Sequence, residues 1–270
     1  MVEDVTLSQI DDQTYLKNQQ YRRADRLNAR TSLHVRFGKQ DRNWFRFLLD
    51  TIPMRGGEAV LDIGCGAGRF WLENWALLPR NIHILLADLS AGMVGDARAA
   101  LVDDERFAFL EADAQSIPLK SGSMDGILAN HMLYHVPDIH LAVREFRRIL
   151  TPGGWLCTAT NGAGHMKELH DFIGMHLPDS YPLAKGSERF TLENALGYLS
   201  PVFETVEIHP FPNQLWVTET DALMEYLRST WMMEAVPEEK MQKLENEIEG
   251  IIRSKGGFSI STLGGVILSR

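Results

Sequence analysis

Val60-Leu61-Asp62-Ile63-Gly64-Cys65-Gly66-Ala67-Gly68-Arg69-Phe70 is the stretch whose reading decides the fold: an apolar run meets three glycines at alternate positions, then residues that favour helix. This order predicts a strand, a tight loop and a helix start. Glycine at alternate positions lets the backbone take positive φ and removes the Cβ atoms that would hold a ligand away from main-chain N–H groups. A small polar ligand can therefore lie directly on the loop.

Working outward, Pro53 and Gly56-Gly57 punctuate the approach, so the first strand is expected over 59–63 and its helix over 69–78. The run 82–87 is almost entirely apolar, as expected of a parallel strand covered on both faces, and it ends in Asp88. Ser90 is placed to cap a helix over 91–101. Further strands are expected at 107–112, 124–129 and 155–160. Asp138 opens a helix whose Ile139, Ala142, Val143, Phe146, Ile149 and Leu150 form one apolar stripe, and Pro152-Gly153-Gly154 stops it. Later segments predict helices at 165–177 and 191–198, a sixth strand at 202–210, a helical block at 221–254 and a last strand within 258–268. The alternation predicts an α/β protein with a doubly wound, mainly parallel, seven-stranded sheet.

A dinucleotide-binding loop, G-x-G-x-x-G, would need glycine where this chain has Arg69. The spacing G-x-G-x-G, opened by the acidic Asp62, instead resembles the first motif of class I S-adenosylmethionine-dependent methyltransferases. Further segments follow in that family's order: Leu85-Leu86-Ala87-Asp88-Leu89-Ser90, Glu111-Ala112-Asp113-Ala114, Asp125-Gly126-Ile127-Leu128-Ala129-Asn130 and Leu150-Thr151-Pro152-Gly153-Gly154. The resemblance covers roughly residues 58 to 160. At His131-Met132-Leu133-Tyr134-His135-Val136 it is most similar to the small-molecule branch typified by ubiquinone and menaquinone C-methyltransferases.

The resemblance implies a Rossmann-like methyltransferase fold whose sixth and seventh strands pair antiparallel, and S-adenosyl-L-methionine as cofactor with S-adenosyl-L-homocysteine as product. Asp62, Gly64, Cys65, Gly66 and Gly68 would hold the methionine end, Asp113 and Ala114 the adenine, and Asn130 and His131 would lie near the sulfonium. Asp88 lies 20 residues beyond Gly68, near the spacing at which a carboxylate accepts from a ribose diol, and Leu89 and Met93 beside it offer an apolar wall for the adenine ring. His131, His135 and His165 are candidate general bases, since imidazole titrates near neutral pH. No metal is required by methyl transfer from a sulfonium. The fivefold spacing of His165 and His170 does not put both rings on one helix face. The Asn/Asp-Pro-Pro-aromatic pattern of amino methyltransferases is absent, because Asn130 is followed by His131-Met132-Leu133.

The chain of 270 residues carries a formal net charge of −9, which disfavours a nucleic acid as default partner. Between residues 21 and 47, however, Arg22, Arg23, Arg26, Arg30, Arg36, Arg42, Arg46 and Lys39 face only two aspartates, so the remainder carries −15. Arg30 is singled out as a partner for the cofactor carboxylate or an anionic substrate. Residues 1–50 are expected to form an N-terminal helical lid, with Tyr21, His34, Phe37 and, beyond the fourth strand, Tyr134 as lid and acceptor-contact candidates. Residues 51–270 are expected to form the cofactor-binding core, with helical insertions at about 163–200 and 220–255 that shape a pocket for a small-molecule acceptor. The acidic start Met1-Val2-Glu3-Asp4, and apolar runs well short of ~18 residues, predict a cytoplasmic protein without a membrane span. Cys65 and Cys157 are expected to be reduced thiols. The oligomeric state is not encoded in any of these patterns. Two alternatives stay open at this point: a tRNA-modifying methyltransferase using the basic segment, and a cofactor-binding cyclase or regulator that does not methylate.

Overall fold

The computed structural model describes residues 10–21, 25–178 and 187–270. Seven strands form one sheet: β1 Ala59–Ile63, β2 His83–Asp88, β3 Phe107–Glu111, β4 Met124–Asn130, β5 Leu150–Asn161, β6 Val206–Val217 and β7 Phe258–Ser269. Their order is β3-β2-β1-β4-β5-β7-β6. Strands β1 to β5 run parallel, and β7 is antiparallel to both its neighbours. The chain steps outward from β1 to β3 and then returns to the other side of β1 as β4. That reversal opens a crevice at the carboxyl ends of β1 and β4, where open α/β sheets bind ligands.

Helices cover both faces. In chain order they are α1 Gln13–Tyr15, which widens into a turn over Leu16–Gln20, α2 Asp25–Phe37, α3 Trp44–Thr51, α4 Arg69–Asn74 and α5 Ala91–Leu101. They continue with α6 Ile139–Ile149, α7 Lys167–His176, α8 Ala195–Leu199, α9 Thr220–Arg228 and α10 Glu238–Lys255. Successive strand residues point to opposite faces. Leu61, Ile63 and Ile127 accordingly pack under the α6 stripe of Ala142, Val143, Phe146 and Ile149, whereas Val60, Leu86 and Leu128 pack with Leu48 of α3, Trp71 of α4 and Ala97 of α5. Side-chain caps start the helices as expected: Ser90 accepts from the Met93 N–H and Asp138 from the Leu141 N–H.

A third core holds a cap above the sheet. Only Gly264–Ser269 of β7 pairs with β5, so the first half of β7 and the second half of β6 project beyond the sheet as a two-stranded ribbon. Leu215, Val217, Phe258 and Ile260 of that ribbon pack with Leu33 and Phe37 of α2, Leu169 and Ile173 of α7, Leu223 and Leu227 of α9 and Leu244 and Ile248 of α10. Residues 38–40 lie along the outer edge of β6, with the Lys39 N–H donating to the Gln214 carbonyl at 2.9 Å.

The structure corrects several boundaries. The sixth strand runs from Val206 to Val217, not 202 to 210, because Pro210 and Pro212 sit in an edge strand where a missing donor breaks nothing. Strand β5 begins at Leu150, directly after α6, and includes Pro152-Gly153-Gly154. The helix after β1 stops at Asn74 and tightens into a 3-10 turn over Trp75–Leu77, and α8 starts at Ala195. Helices α2 and α3 bury Leu33, Phe37 and Leu48 in the cap and main cores.

Candidate functional site

The glycine loop leaves β1 with Gly64, Gly66 and Gly68 at φ of 76°, 54° and 74°, all in the left-handed region. A Cβ on Gly64 would stand 2.7 Å from the Met132 Cβ, and one on Gly66 would stand 3.3 Å from Leu27 Cδ2 of α2. The loop is thus bare backbone under a helix. The N–H groups of Gly64 and Cys65 both donate to the Ala87 carbonyl, tying the loop to the end of β2. There Asp88 accepts from the Gly66 N–H at 3.0 Å and the Ser90 N–H at 2.8 Å, while burial raises its pKa. An ionised carboxylate offers about four lone-pair sites, so Asp88 keeps capacity to accept from a diol.

Asp62 is buried beneath the loop. Its Oδ2 accepts from the Trp71 indole N–H at 2.7 Å, and its Oδ1 has no hydrogen-bond partner. Burial pushes its pKa up to about 7, the Trp71 bond opposes that, and the Asp88 charge adds to it. Burial likewise raises the Cys65 thiol, which is therefore protonated and inert at neutral pH. At the end of β3, Asp113 accepts from Gln13 Nε2 at 2.8 Å and from the Gln115 N–H at 2.9 Å, with Ala114 buried beside it. Met93 is fully buried and Leu89 half-buried on the Asp88 side. At the end of β4 the Asn130 Oδ1 is buried without a donor. His131 follows at φ 52°, a strained conformation for a non-glycine residue, with its N–H held by the Ala159 carbonyl. A cationic, amino-acid-bearing nucleoside fits this donor and acceptor set: a bare loop, two carboxylates on neighbouring strand tips, and unpaired oxygens on Asp62 and Asn130.

The segment 10–21 lies across the same strand tips. Besides Gln13 on Asp113, Lys17 pairs with Glu111 at 2.5 Å, Asp11 pairs with Arg189, and the Tyr21 carbonyl accepts from Ser90 Oγ at 2.9 Å. The Ile10 carbonyl lies 2.8 Å from His135 Nδ1, and the Tyr21 hydroxyl lies 2.8 Å from His135 Nε2. A carbonyl only accepts, so Nδ1 carries the imidazole proton and Nε2 takes the hydrogen bond from the Tyr21 O–H. Burial lowers His135 to about 4, which keeps the ring neutral.

Beyond Tyr21 the remaining candidates converge. Arg30 of α2 stands over the Tyr21 ring with its guanidinium carbon 5.5 Å from the centroid. His34, one turn on, stacks against His165 at 5.6 Å and meets Tyr226 of α9 edge-on at 6.4 Å. His131 contacts Trp44 of α3 at 5.5 Å. Burial lowers His34 and His131 to about 4 and His165 well below its usual range, and it raises the Tyr134 and Tyr226 phenols. Each of these rings is largely surrounded by protein yet keeps some accessible surface. Arg36 pairs with Glu219, and Arg42 and Arg46 both pair with Asp50, so those arginines are engaged at the surface. Arg22, Arg23 and the side chain of Arg26 lie outside the described residues. No group of three or more His, Cys, Asp or Glu among the described residues is placed to hold a metal ion, and no described helix is long and apolar enough to cross a membrane.

Residues 61–158 match the sequence profile of the methyltransferase domain family. Over this segment the chain is similar to that family. Over 118 residues the chain is 36% identical to a ubiquinone/menaquinone biosynthesis C-methyltransferase of Cellvibrio japonicus, covering 43% of this chain and 47% of that one. Over 113 residues it is 37% identical to a malonyl-(acyl-carrier protein) O-methyltransferase of Yersinia pestis, covering 42% and 40% respectively. The chain spans about half the length of the curated relatives it matches. The crystal structure of the (4+2)-cyclase SpnF superposes with a TM-score of 0.59 at 17% identity, covering 94% of each chain, which is a likeness of fold. The matched segment holds the glycine loop, Asp88, Asp113 and the His131–His135 segment, whereas α2, α9 and most of the cap lie outside the matched residues.

Sequence reasoning missed Tyr226, Trp44, Trp71 and Gln13. Trp71 carried a legible signal, an indole three residues beyond a loop whose acid needs a donor. Tyr226 carried none, because only the packing of α9 against α2 brings it to His34.

Proposed function

We propose that this chain is an S-adenosylmethionine-dependent methyltransferase acting on a small-molecule acceptor, with the cofactor along the tips of β1 to β4 and the acceptor beneath α2 and α9. The observation that carries this reading is the run of three positive-φ glycines between a buried, half-satisfied Asp62 and the Asp88 carboxylate. When bound, the cofactor supplies a sulfonium-activated methyl group. The residues of the chain then bind, orient and exclude water. Asp62 Oδ1 accepts from the ammonium of the methionine end, Asp88 from the ribose, and Asp113 from the adenine amino group in place of Gln13. The segment 10–21, with Tyr21 at its end, covers the site from solvent.

The histidines divide by their contacts. His131, His34 and His165 stay neutral at physiological pH and serve as hydrogen-bonding walls. His135 does not face the acceptor directly, since Tyr21 takes its Nε2. Tyr21 therefore removes an acceptor proton where one must leave, passing its own hydroxyl proton to His135, whose Nδ1–H is held by the Ile10 carbonyl. Calorimetry on ligand-stripped protein tests the reading. Uptake of S-adenosylhomocysteine with one-to-one stoichiometry, and its loss in Asp88→Ala, is the expected result; no uptake by the unmodified protein overturns it.

A further inference from the structure

Arg30 is a charge beside the Tyr21 ring that the reading above leaves without a counterpart. Its Nη2 is buried and has no hydrogen-bond partner. Burial works against its charged form, the Tyr21 hydroxyl offers it a hydrogen bond, and the other groups that interact with it are the Tyr134 and Tyr226 phenols, with no carboxylate among the described residues. The titratable groups that feel its positive charge include His131 and His135, both neutral. Guanidinium stays protonated at any physiological pH, and a buried cation lacking an anion is costly. Among the described residues no carboxylate balances this guanidinium.

Two ligands can bring an anionic oxygen here, the cofactor's own carboxylate or the acceptor. Position favours the acceptor. The glycine loop is covered by Leu27, three residues before Arg30, and it is there that the methionine end belongs. Arg30, one turn further along α2, interacts electrostatically with Tyr134 beyond β4 and Tyr226 of α9. Helix α9 packs on α2, α10 and β6.

We propose that Arg30 is the receptor for an anionic oxygen group of the methyl acceptor, and that the acceptor is an acid: a carboxylate, an acidic phenol or enol, or a phosphate ester. The inference rests on the methyltransferase reading of the same site. The planar fork of donors matches a planar oxyanion through two parallel bonds, and the three phenol rings around it supply apolar faces and hydroxyls for the rest of the molecule.

The test uses the full chain saturated with S-adenosylhomocysteine and two matched probes, benzoate and benzamide, in calorimetric titrations. Benzoate is expected to bind at least tenfold more tightly than benzamide. Arg30→Gln is expected to abolish that preference while leaving S-adenosylhomocysteine affinity within twofold, and Arg30→Lys to restore part of it. Equal binding of the two probes by the unmodified protein overturns the proposal without any variant having to fold. A tenfold loss of S-adenosylhomocysteine affinity in Arg30→Gln, with 5′-methylthioadenosine binding unchanged, also overturns it, because the guanidinium would then serve the cofactor's amino-acid end. Failure of the unmodified protein to bind S-adenosylhomocysteine at all removes the methyltransferase reading instead. The benzoate comparison on that protein still decides whether the site receives an acid.

Discussion

Tyr21 and His135 stand 114 positions apart and share a hydrogen bond of 2.8 Å, with the imidazole fixed in one tautomer by a main-chain carbonyl. If Tyr21 passes the proton on, Tyr21→Phe removes the relay and keeps the ring. Turnover is expected to fall by roughly 10²-fold, the usual worth of a positioned acid or base, with S-adenosylhomocysteine affinity within twofold; a calorimetric and single-turnover comparison checks both. Asp62 carries a second prediction. Its carboxyl titrates at about 7, so below that pH it is protonated and a poor partner for an ammonium group. Cofactor affinity should rise about tenfold per pH unit from 6 towards 7 and level off above it. Asp62→Asn, which still accepts from Trp71, should flatten the profile. At this scale the motifs were legible because glycine, acid and histidine announce themselves by type and spacing. What they touch was not: the Trp71 indole on Asp62 and the Gln13 amide on Asp113 are contacts that only the folded chain creates.

Among the elements, the segment 10–21 holds the strand tips through a few polar contacts, to Glu111, Asp113, Ser90, His135 and Arg189. Of these the Lys17–Glu111 pair is exposed and individually weak, while Ile10, Tyr15 and Leu16 of the segment are buried. Removing residues 1–20 should leave the remaining fold intact, because α2 and α3 bury their own apolar faces. Cofactor affinity should drop at least tenfold, measured by calorimetry, while the urea midpoint moves little; unchanged affinity would dismiss the covering role. The strands β1 to β5 were readable from their apolar runs and their terminal acids. Strand β6 was readable only in its first half, because Pro210, Pro212 and Asn213 look like a loop in isolation and only pairing with β7 keeps them extended. The helical insertions were readable as helices, but nothing in their periodicity told which face meets α2. That is why Tyr226 escaped notice while Arg30, His34 and Tyr134 did not.

For the molecule as a whole, the buried histidines set the acid limit. His34, His131, His135 and His165 have folded-state pKa values below the ~6.5 of an unfolded chain, so unfolding takes up protons as pH falls. Their neutral, buried state favours the fold fully above pH ~6.5, and that contribution is lost as pH falls towards about 4. Asp62 works in the opposite sense, favouring the fold at low pH and losing that contribution as pH rises through about 7. Asp88, which burial also raises, works with Asp62, and the four imidazoles outweigh the two carboxyls. A net loss of stability between pH ~6.5 and ~4.5 is expected in urea titrations. One last consequence concerns β6. Its outer side offers no amide hydrogen at Pro210 or Pro212, and further along residues 38–40 already occupy it. A stray chain thus finds no continuous row of donors and acceptors to extend. Crowded solutions of this protein should resist fibril-like growth from that flank, and a Pro210→Thr, Pro212→Thr variant should acquire the tendency, visible as thioflavin fluorescence.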